Sequence, residues 1–109
     1  MSYAKTKVQV ENLVKSELSM AAKDWGDTFR SRHEGYAVLL EEYEELRDEL
    51  EHIRWYVSAL WDHVKEESAE YVQEDAEAIE SFAVRAACEA IQVAAMAKKM
   101  QISEEGVRP

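Results

Sequence analysis

The stretch HEGYAVLLEEYEELRDELEHIRWYVSALWDHVK, residues 33–65, decides the fold class of this chain. Large apolar side chains recur through it in alternating steps of four and three residues, which is the spacing of a heptad stripe. The stripe consists of Leu39, Tyr43, Leu46, Leu50, Ile53, Val57, Leu60 and Val64. No proline interrupts the stretch, and its one glycine, Gly35, precedes the stripe. The pattern therefore predicts an unbroken helix over 33–65, roughly 50 Å long.

Helix signals continue on both sides of this stretch. Ser31 and Glu34 form the S-x-x-E pattern of a capping box just before the apolar periodicity begins. Upstream, the spacing predicts a first helix over 5–23, capped by Gly26, and a loop over 24–31. Downstream, it predicts a turn at 66–70 and a third helix over 72–101 with a face of small residues. We expect the tail, 102–109, to be frayed.

These elements predict an all-α protein, with one domain over 1–109. The helices are expected to pack as an antiparallel bundle. A domain of this size has a radius of gyration of only about 13 Å, much less than the length of the second helix. Because the sequence offers no break in that helix, we expect its far end to pack on another subunit, so that oligomerisation completes the bundle.

Composition excludes several functional classes. The chain has 109 residues and a formal net charge of −10, so direct nucleic-acid binding is not expected, because phosphate contacts need clustered lysine and arginine. A phosphate substrate would need divalent cations as a bridge. Cys88 is the only cysteine, and no run of 18 apolar residues occurs. We therefore predict a soluble, cytoplasmic protein without membrane association.

A cluster of carboxylates lies on one edge of the apolar stripe. Glu42 and Glu45 are three residues apart and are therefore neighbours on one face of the helix, whereas Glu41 lies toward the exposed side. Two like charges about 4 Å apart repel by roughly 4 kcal/mol at an effective dielectric constant near 20. The residues alone leave two interpretations open, namely a solvated helix face or a Mg²⁺ site, since Mg²⁺ prefers oxygen ligands.

Two segments resemble a known family. WGDTFRSRHEGYAVLLEEYEEL, residues 25–46, and EAIQVAAMA, residues 89–97, are similar to the MazG-like branch of the all-α nucleotide pyrophosphohydrolases, many of whose members are phage or prophage proteins. The similarity lies in a Ser-x-His-Glu-Gly-Tyr-Ala entry to a helix, an E-E-x-x-E motif one to two turns later and a small-residue helix near the end. It covers about two thirds of the chain.

The resemblance implies an activity and a metal site. The implied reaction converts a nucleoside or deoxynucleoside triphosphate and water into the monophosphate and pyrophosphate. The implied cofactor is Mg²⁺, with Mn²⁺ as a substitute. Its implied ligands are Glu42 and Glu45 from the first motif and Glu89 and Gln92 from the second, and Glu41, Glu42 and Glu45 are the implied catalytic residues.

Four residues are candidates for substrate binding. They are Ser31 and His33 in the motif at the helix entry, Trp25 just before it and Lys98 near the end of the third helix. Each also has a structural interpretation, as a helix cap, a surface histidine, a core or interface aromatic residue, and a cation favoured near a helix C-terminus. The expected partners are a nucleoside triphosphate and further copies of this chain, as a homodimer or homotetramer.

One departure from the family pattern supports an alternative function. Gln92 stands where the family has aspartate, which removes one negative charge, and Arg85 lies one turn before Glu89, where it could neutralise that carboxylate. The alternative is a catalytically weakened helical oligomer that acts as a protein- or nucleotide-binding module. A purely structural coiled coil is a third possibility, although it does not explain the motif at 31–45.

Overall fold

The computed structural model describes residues 2–106 and confirms the all-α prediction. These residues form three helices and no strand: α1 at Tyr3–Trp25, α2 at Arg32–Lys65 and α3 at Ala69–Glu105. None of the helices in these residues is long and apolar enough to cross a membrane.

The ends of α1 follow local sequence signals. At its start, the Ser2 hydroxyl accepts a hydrogen bond from the backbone N–H of Lys5 at 3.3 Å. At its end, Gly26 adopts a φ of 83° and donates its backbone N–H to the carbonyl oxygen of Ala22 at 3.0 Å. Glycine reaches positive φ at little cost, so the predicted C-terminal cap is confirmed.

Helix α2 begins at the predicted serine, with one change in the capping box. The Ser31 hydroxyl accepts a hydrogen bond from the backbone N–H of Glu34 at 3.1 Å, as expected. The Glu34 carboxylate accepts from the backbone N–H of Arg30 at 3.1 Å, whereas a standard box would pair it with the N–H of Ser31. From Arg32 the helix continues for 34 residues without a break.

The predicted turn between α2 and α3 is confirmed, but the predicted frayed tail is wrong over 102–105. Glu67 takes a φ of 54° in the turn, and α3 continues to Glu105. The Ser103 hydroxyl accepts from the backbone N–H of Phe29 at 2.9 Å, and Glu104 forms an ion pair with Arg32 at 2.7 Å. These long-range contacts order the last turn of α3. Residues 107–109 lie outside the described residues.

The helices contribute to two compact units, one of residues 1–43 and 90–109 and the other of residues 44–89. Helices α2 and α3 each pass without interruption from one unit into the other, and the single domain over 1–109 stays a prediction. The core of the first unit contains Phe29, Ala95 and Met96. Ala95 is 0% exposed.

Gly35 is buried in this core because no side chain fits there. A Cβ atom at this position would clash with the sulfur of Met100 and lie 2.9 Å from Cδ2 of Phe29. We expect Gly35→Val to lower the free energy of unfolding by about 1–3 kcal/mol, the usual cost of overpacking a core. Urea denaturation would measure the loss. Gly106→Val is the control, since a Cβ there meets only the Ser103 carbonyl oxygen at 3.6 Å, and an equal loss in both variants would contradict the prediction.

The second unit is a hairpin formed by α2 and α3 running antiparallel. Residues later in α2 contact residues earlier in α3. The His52 ring stacks on the Phe82 ring, and His63 is hydrogen-bonded to Asp75. The apolar stripe of α2 divides into two rows here. Leu46, Ile53 and Leu60 are half-buried, whereas Leu50, Val57 and Val64 are exposed. The stripe is therefore not a single buried seam.

A charged pair joins the two helices near the turn of the hairpin. Nδ1 of His63 lies 2.5 Å from Oδ2 of Asp75, a residue only 5% exposed. The His63 ring also stacks on Tyr71, with 5.0 Å between the ring centres. The hydrogen bond with Asp75 raises the pKa of His63 above its ordinary value of 6.5, despite an opposing effect of burial.

This pair predicts a pH-dependent stability. Because the pKa of His63 is higher in the folded state than in the unfolded state, the stabilisation is complete below about pH 6.5 and is lost as the pH rises through the raised pKa. We expect the urea midpoint of the wild type to fall between pH 6 and pH 8, and Asp75→Asn to flatten this slope. His33→Gln, at an exposed histidine, is the control and should leave the slope in place. A slope equally steep in Asp75→Asn would contradict the assignment.

Candidate metal and phosphate site

Two carboxylates meet across the hairpin of the second unit. Glu45 of α2 and Glu89 of α3 lie with carboxylate oxygens within 4.8 Å of each other. Burial and the neighbouring carboxyl groups of Glu45 and Glu49 raise the pKa of Glu89.

A third carboxylate beside this pair has an unsatisfied oxygen. Oε2 of Glu49 is shielded from solvent and has no hydrogen-bond partner among the described residues. Glu49 follows Glu45 by one turn of α2, and its charge raises the pKa of Glu89. A buried oxygen without a donor is costly unless an ion or a water satisfies it. This orphaned oxygen is the feature of the second unit that fits a bound cation.

Glu42 extends the same edge of α2 by one turn in the other direction. It precedes Glu45 by three residues along the helix and belongs to the first unit. Glu42, Glu49 and Glu89 are half-buried, so this edge of the helix is not a fully solvated face. The donor set consists of carboxylate oxygens alone, which fits Mg²⁺ or Mn²⁺ and would not favour a softer metal.

A cleft of about 690 Å³ opens in the first unit. Its wall combines aromatic, acidic and basic side chains with small and aliphatic ones. The lining residues are Ala21, Trp25, Thr28, Phe29, Arg30, Glu34, Val38, Glu41, Glu42, Gln92, Met96 and Lys99. Clefts of this volume are common sites for small ligands.

Gln92 lines this cleft, and its side chain is hydrogen-bonded to a residue of α1. Its amide nitrogen donates to Oε2 of Glu17 at 2.8 Å. The amide is therefore oriented by a residue outside both sequence motifs.

Arg85 has its guanidinium carbon 5.6 Å from the centre of the Phe82 ring. No ion pair between described residues joins Arg85 to Glu89.

The four predicted substrate-binding residues differ in whether they line the cleft. Trp25 is 79% exposed and lines the cleft. Ser31 caps α2, and His33 and Lys98 are exposed. None of these last three is among the described residues that line the cleft.

Two residues outside the predicted site set lie in these sites, although the sequence already places both beside predicted members. Lys99, rather than Lys98, lies on the cleft wall. The signal was available, because Lys99 follows Gln92 by seven residues and so shares its helix face, whereas Lys98 is rotated by about 100°. Glu49 follows Glu45 by four residues and continues the same edge of α2, but it is not among the predicted ligands.

Comparison of the chain with protein-family models, with curated proteins and with solved structures gave no significant match.

Proposed function

We propose that this protein is a Mg²⁺-dependent nucleoside triphosphate pyrophosphohydrolase of the MazG-like type. It would convert a nucleoside or deoxynucleoside triphosphate and water into the monophosphate and pyrophosphate. The observation that carries the proposal is the approach of Glu45 to Glu89 across the hairpin, where carboxylate oxygens of the two residues lie within 4.8 Å of each other. The unsatisfied oxygen of Glu49 beside them supports the same interpretation. A phage or prophage origin and a cytoplasmic location stay predictions.

The proposed ligands of the cation are Glu42, Glu45 and Glu89, with Gln92 as a fourth through its amide oxygen. The hydrogen bond from the Gln92 nitrogen to Glu17 leaves that oxygen as the acceptor end of the side chain. When bound, the cation would neutralise the triphosphate and stabilise the charge that develops on the pyrophosphate leaving group. Mn²⁺ is expected to substitute for Mg²⁺.

The chain's own carboxylates would handle the proton of the attacking water. Glu41 or Glu45 would accept this proton as general base while the water oxygen attacks the α-phosphorus. Glu41 supports this assignment because it lies on the wall of the cleft. The bond from the α-phosphorus to the bridging oxygen breaks, and pyrophosphate leaves with that oxygen. No covalent intermediate with the protein is required.

The proposed self-association, as a homodimer or homotetramer, has its own structural support. Seven residues of α2 form an outer row: Tyr36, Leu40, Tyr43, Leu50, Val57, Trp61 and Val64. These residues follow one heptad spacing, and Arg47 and Arg54 occupy the two remaining positions of that spacing. The seven apolar residues are between 38% and 64% exposed. Contiguous apolar stripes of this kind are typical of helix–helix interfaces.

The alternative function, a weakened helical oligomer that binds proteins or nucleotides, rests on Gln92. The glutamine supplies one charge fewer than the aspartate of the family pattern, and its amide nitrogen is committed to Glu17. A binding module would retain the cleft and the outer row without rapid turnover.

One experiment separates these functions. Pyrophosphate release would be measured from a panel of ribo- and deoxynucleoside triphosphates with Mg²⁺, with Mn²⁺ and with chelator, beside the Glu42→Ala/Glu45→Ala variant. Metal-dependent release that the double variant lacks would establish the enzyme and identify its preferred nucleotide. No release from a folded protein across the whole panel would reject the enzyme in favour of the binding module.

A further inference from the structure

We propose that Lys99 binds the phosphate chain of the ligand in the cleft of the first unit. This inference rests on the proposed function for the identity of the ligand as a nucleotide. Lys99 lies on α3 and is only 4% exposed, yet its side chain forms part of the cleft wall. Its ammonium nitrogen lies 4.6 Å from the centre of the Phe29 ring.

A buried lysine normally has an anionic partner, and none of the described residues supplies one to Lys99. Among residues 2–106, no carboxylate forms an ion pair with its ammonium group and no acceptor forms a hydrogen bond with it. The face of Phe29 supplies a cation–π contact, which satisfies a cation only in part. The ammonium group therefore belongs to a side chain held on the cleft wall, and the arrangement points to an anion that the protein takes up from solution.

The surroundings of Lys99 favour a phosphate chain over other anions. Arg30 adds a second positive charge to the cleft wall, and Glu41 and Glu42 add negative charges. A simple carboxylate ligand would be repelled by these glutamates without compensation. A polyphosphate complexed with a divalent cation fits both signs, because its oxygens accept from Lys99 while its cation faces the carboxylates.

Two sources could supply such a chain, namely a nucleotide or free inorganic polyphosphate. Trp25 lines the same cleft, is 79% exposed and offers an aromatic face on which a base could stack. We therefore expect a nucleotide to bind more tightly than inorganic triphosphate. Equal affinity for both would assign the cleft to the phosphate chain alone and would still support the role of Lys99.

The test measures binding without turnover. Calorimetry would follow a nucleoside triphosphate analogue with an imido bridge between its α- and β-phosphorus atoms, and separately inorganic triphosphate, each with Mg²⁺. Lys99→Met removes the charge and keeps a long apolar stem. We expect the dissociation constant to rise by about 10- to 100-fold, the usual effect of losing a charge-assisted hydrogen bond. Lys99→Arg should recover most of the affinity.

Lys98→Met is the matched control, since it removes the same charge from the neighbouring, exposed position. Its affinity should stay within about twofold of the wild type. Unchanged binding by Lys99→Met, or an equal loss in both lysine variants, would overturn the proposal. If Lys99→Met does not fold, amine acetylation of the wild type followed by mass spectrometry gives the answer, because the analogue should protect Lys99 and leave Lys98 reactive.

The test also separates this proposal from the proposed function. Lys99-dependent binding without pyrophosphate release would support the phosphate site and reject the enzyme. Pyrophosphate release by the wild type, with analogue binding unaffected by Lys99→Met, would support the enzyme and reject the assignment of Lys99.

Discussion

Glu45→Gln is expected to reduce pyrophosphate release by about 100-fold or more. Glu45 of α2 has a carboxylate oxygen within 4.8 Å of a carboxylate oxygen of Glu89 on α3. Glutamine keeps the size and most of the hydrogen bonding of the side chain but removes its charge. Loss of a group that stabilises transition-state charge commonly costs about 10²–10³ in rate, so a steady-state assay with Mg²⁺ would resolve it.

The same substitution should change stability in opposite directions with and without the cation. At 100 times its dissociation constant, a cation that binds only the folded state stabilises it by about 2.7 kcal/mol. Glu45→Gln should lose most of this gain in a thermal denaturation measured with Mg²⁺. In chelator, the variant should be the more stable protein, because one of the charges that repel Glu89 is gone.

The pH dependence in chelator gives a further readout. The pKa of Glu89 is raised in the folded state above its ordinary value of 4.5. The folded protein therefore retains a proton that the unfolded chain releases, and stability falls as the pH rises through the raised pKa. Glu45→Gln should reduce this fall.

Glu44→Gln is the control for these measurements. It removes the same charge from the adjacent, exposed residue of α2. We expect activity within about twofold of the wild type and an unchanged response to Mg²⁺. Equal losses in the two variants would indicate a general effect of helix charge and would count against a cation site at Glu45.

Leu50→Lys/Val57→Lys is expected to abolish the proposed self-association. Both residues belong to the outer row of α2 and are about half exposed in the single chain. Burial of such a side chain contributes about 1.5–3 kcal/mol, and an isologous dimer contains each position twice. Because about half of each side chain is already buried in the single chain, the variant should lose roughly 3 kcal/mol or more of association free energy, which sedimentation at micromolar concentration would detect.

The matched control places lysines one residue further along the helix. Glu51→Lys/Ser58→Lys has the same spacing of seven residues and changes two exposed positions outside the outer row. It should assemble as the wild type does. A monomeric wild type, or a Leu50→Lys/Val57→Lys variant that still assembles, would show that the outer row does not hold copies of the chain together.

Local sequence signals were sufficient for most of the secondary structure. Gly26 and Ser31 were assigned as caps from residue type and spacing, and the structure confirms both. The tail could not be predicted in the same way. Its order over 102–105 depends on Ser103 meeting Phe29 and on Glu104 meeting Arg32, residues more than 70 positions away in the chain.

The apolar stripe shows a second limit of the sequence. Its heptad spacing predicted a helix correctly, but spacing alone did not say which rows would be buried. In the second unit, α2 packs on α3 through Leu46, Ile53 and Leu60, which leaves Leu50, Val57 and Val64 exposed. A helix with one neighbour in the chain buries one face, whatever the number of apolar rows it carries.

By itself, the sequence determined an all-α chain, its caps and turn, and the placing of Glu42 and Glu45 on successive turns of one helix. These features depend on interactions within about four residues, and such interactions can be read from order along the chain. Only the tertiary structure decided that Glu45 meets Glu89, that Gln92 bonds to Glu17 and that Lys99 rather than Lys98 faces the cleft. Each of these depends on how α3 packs against α1 or α2, and local spacing does not specify that packing.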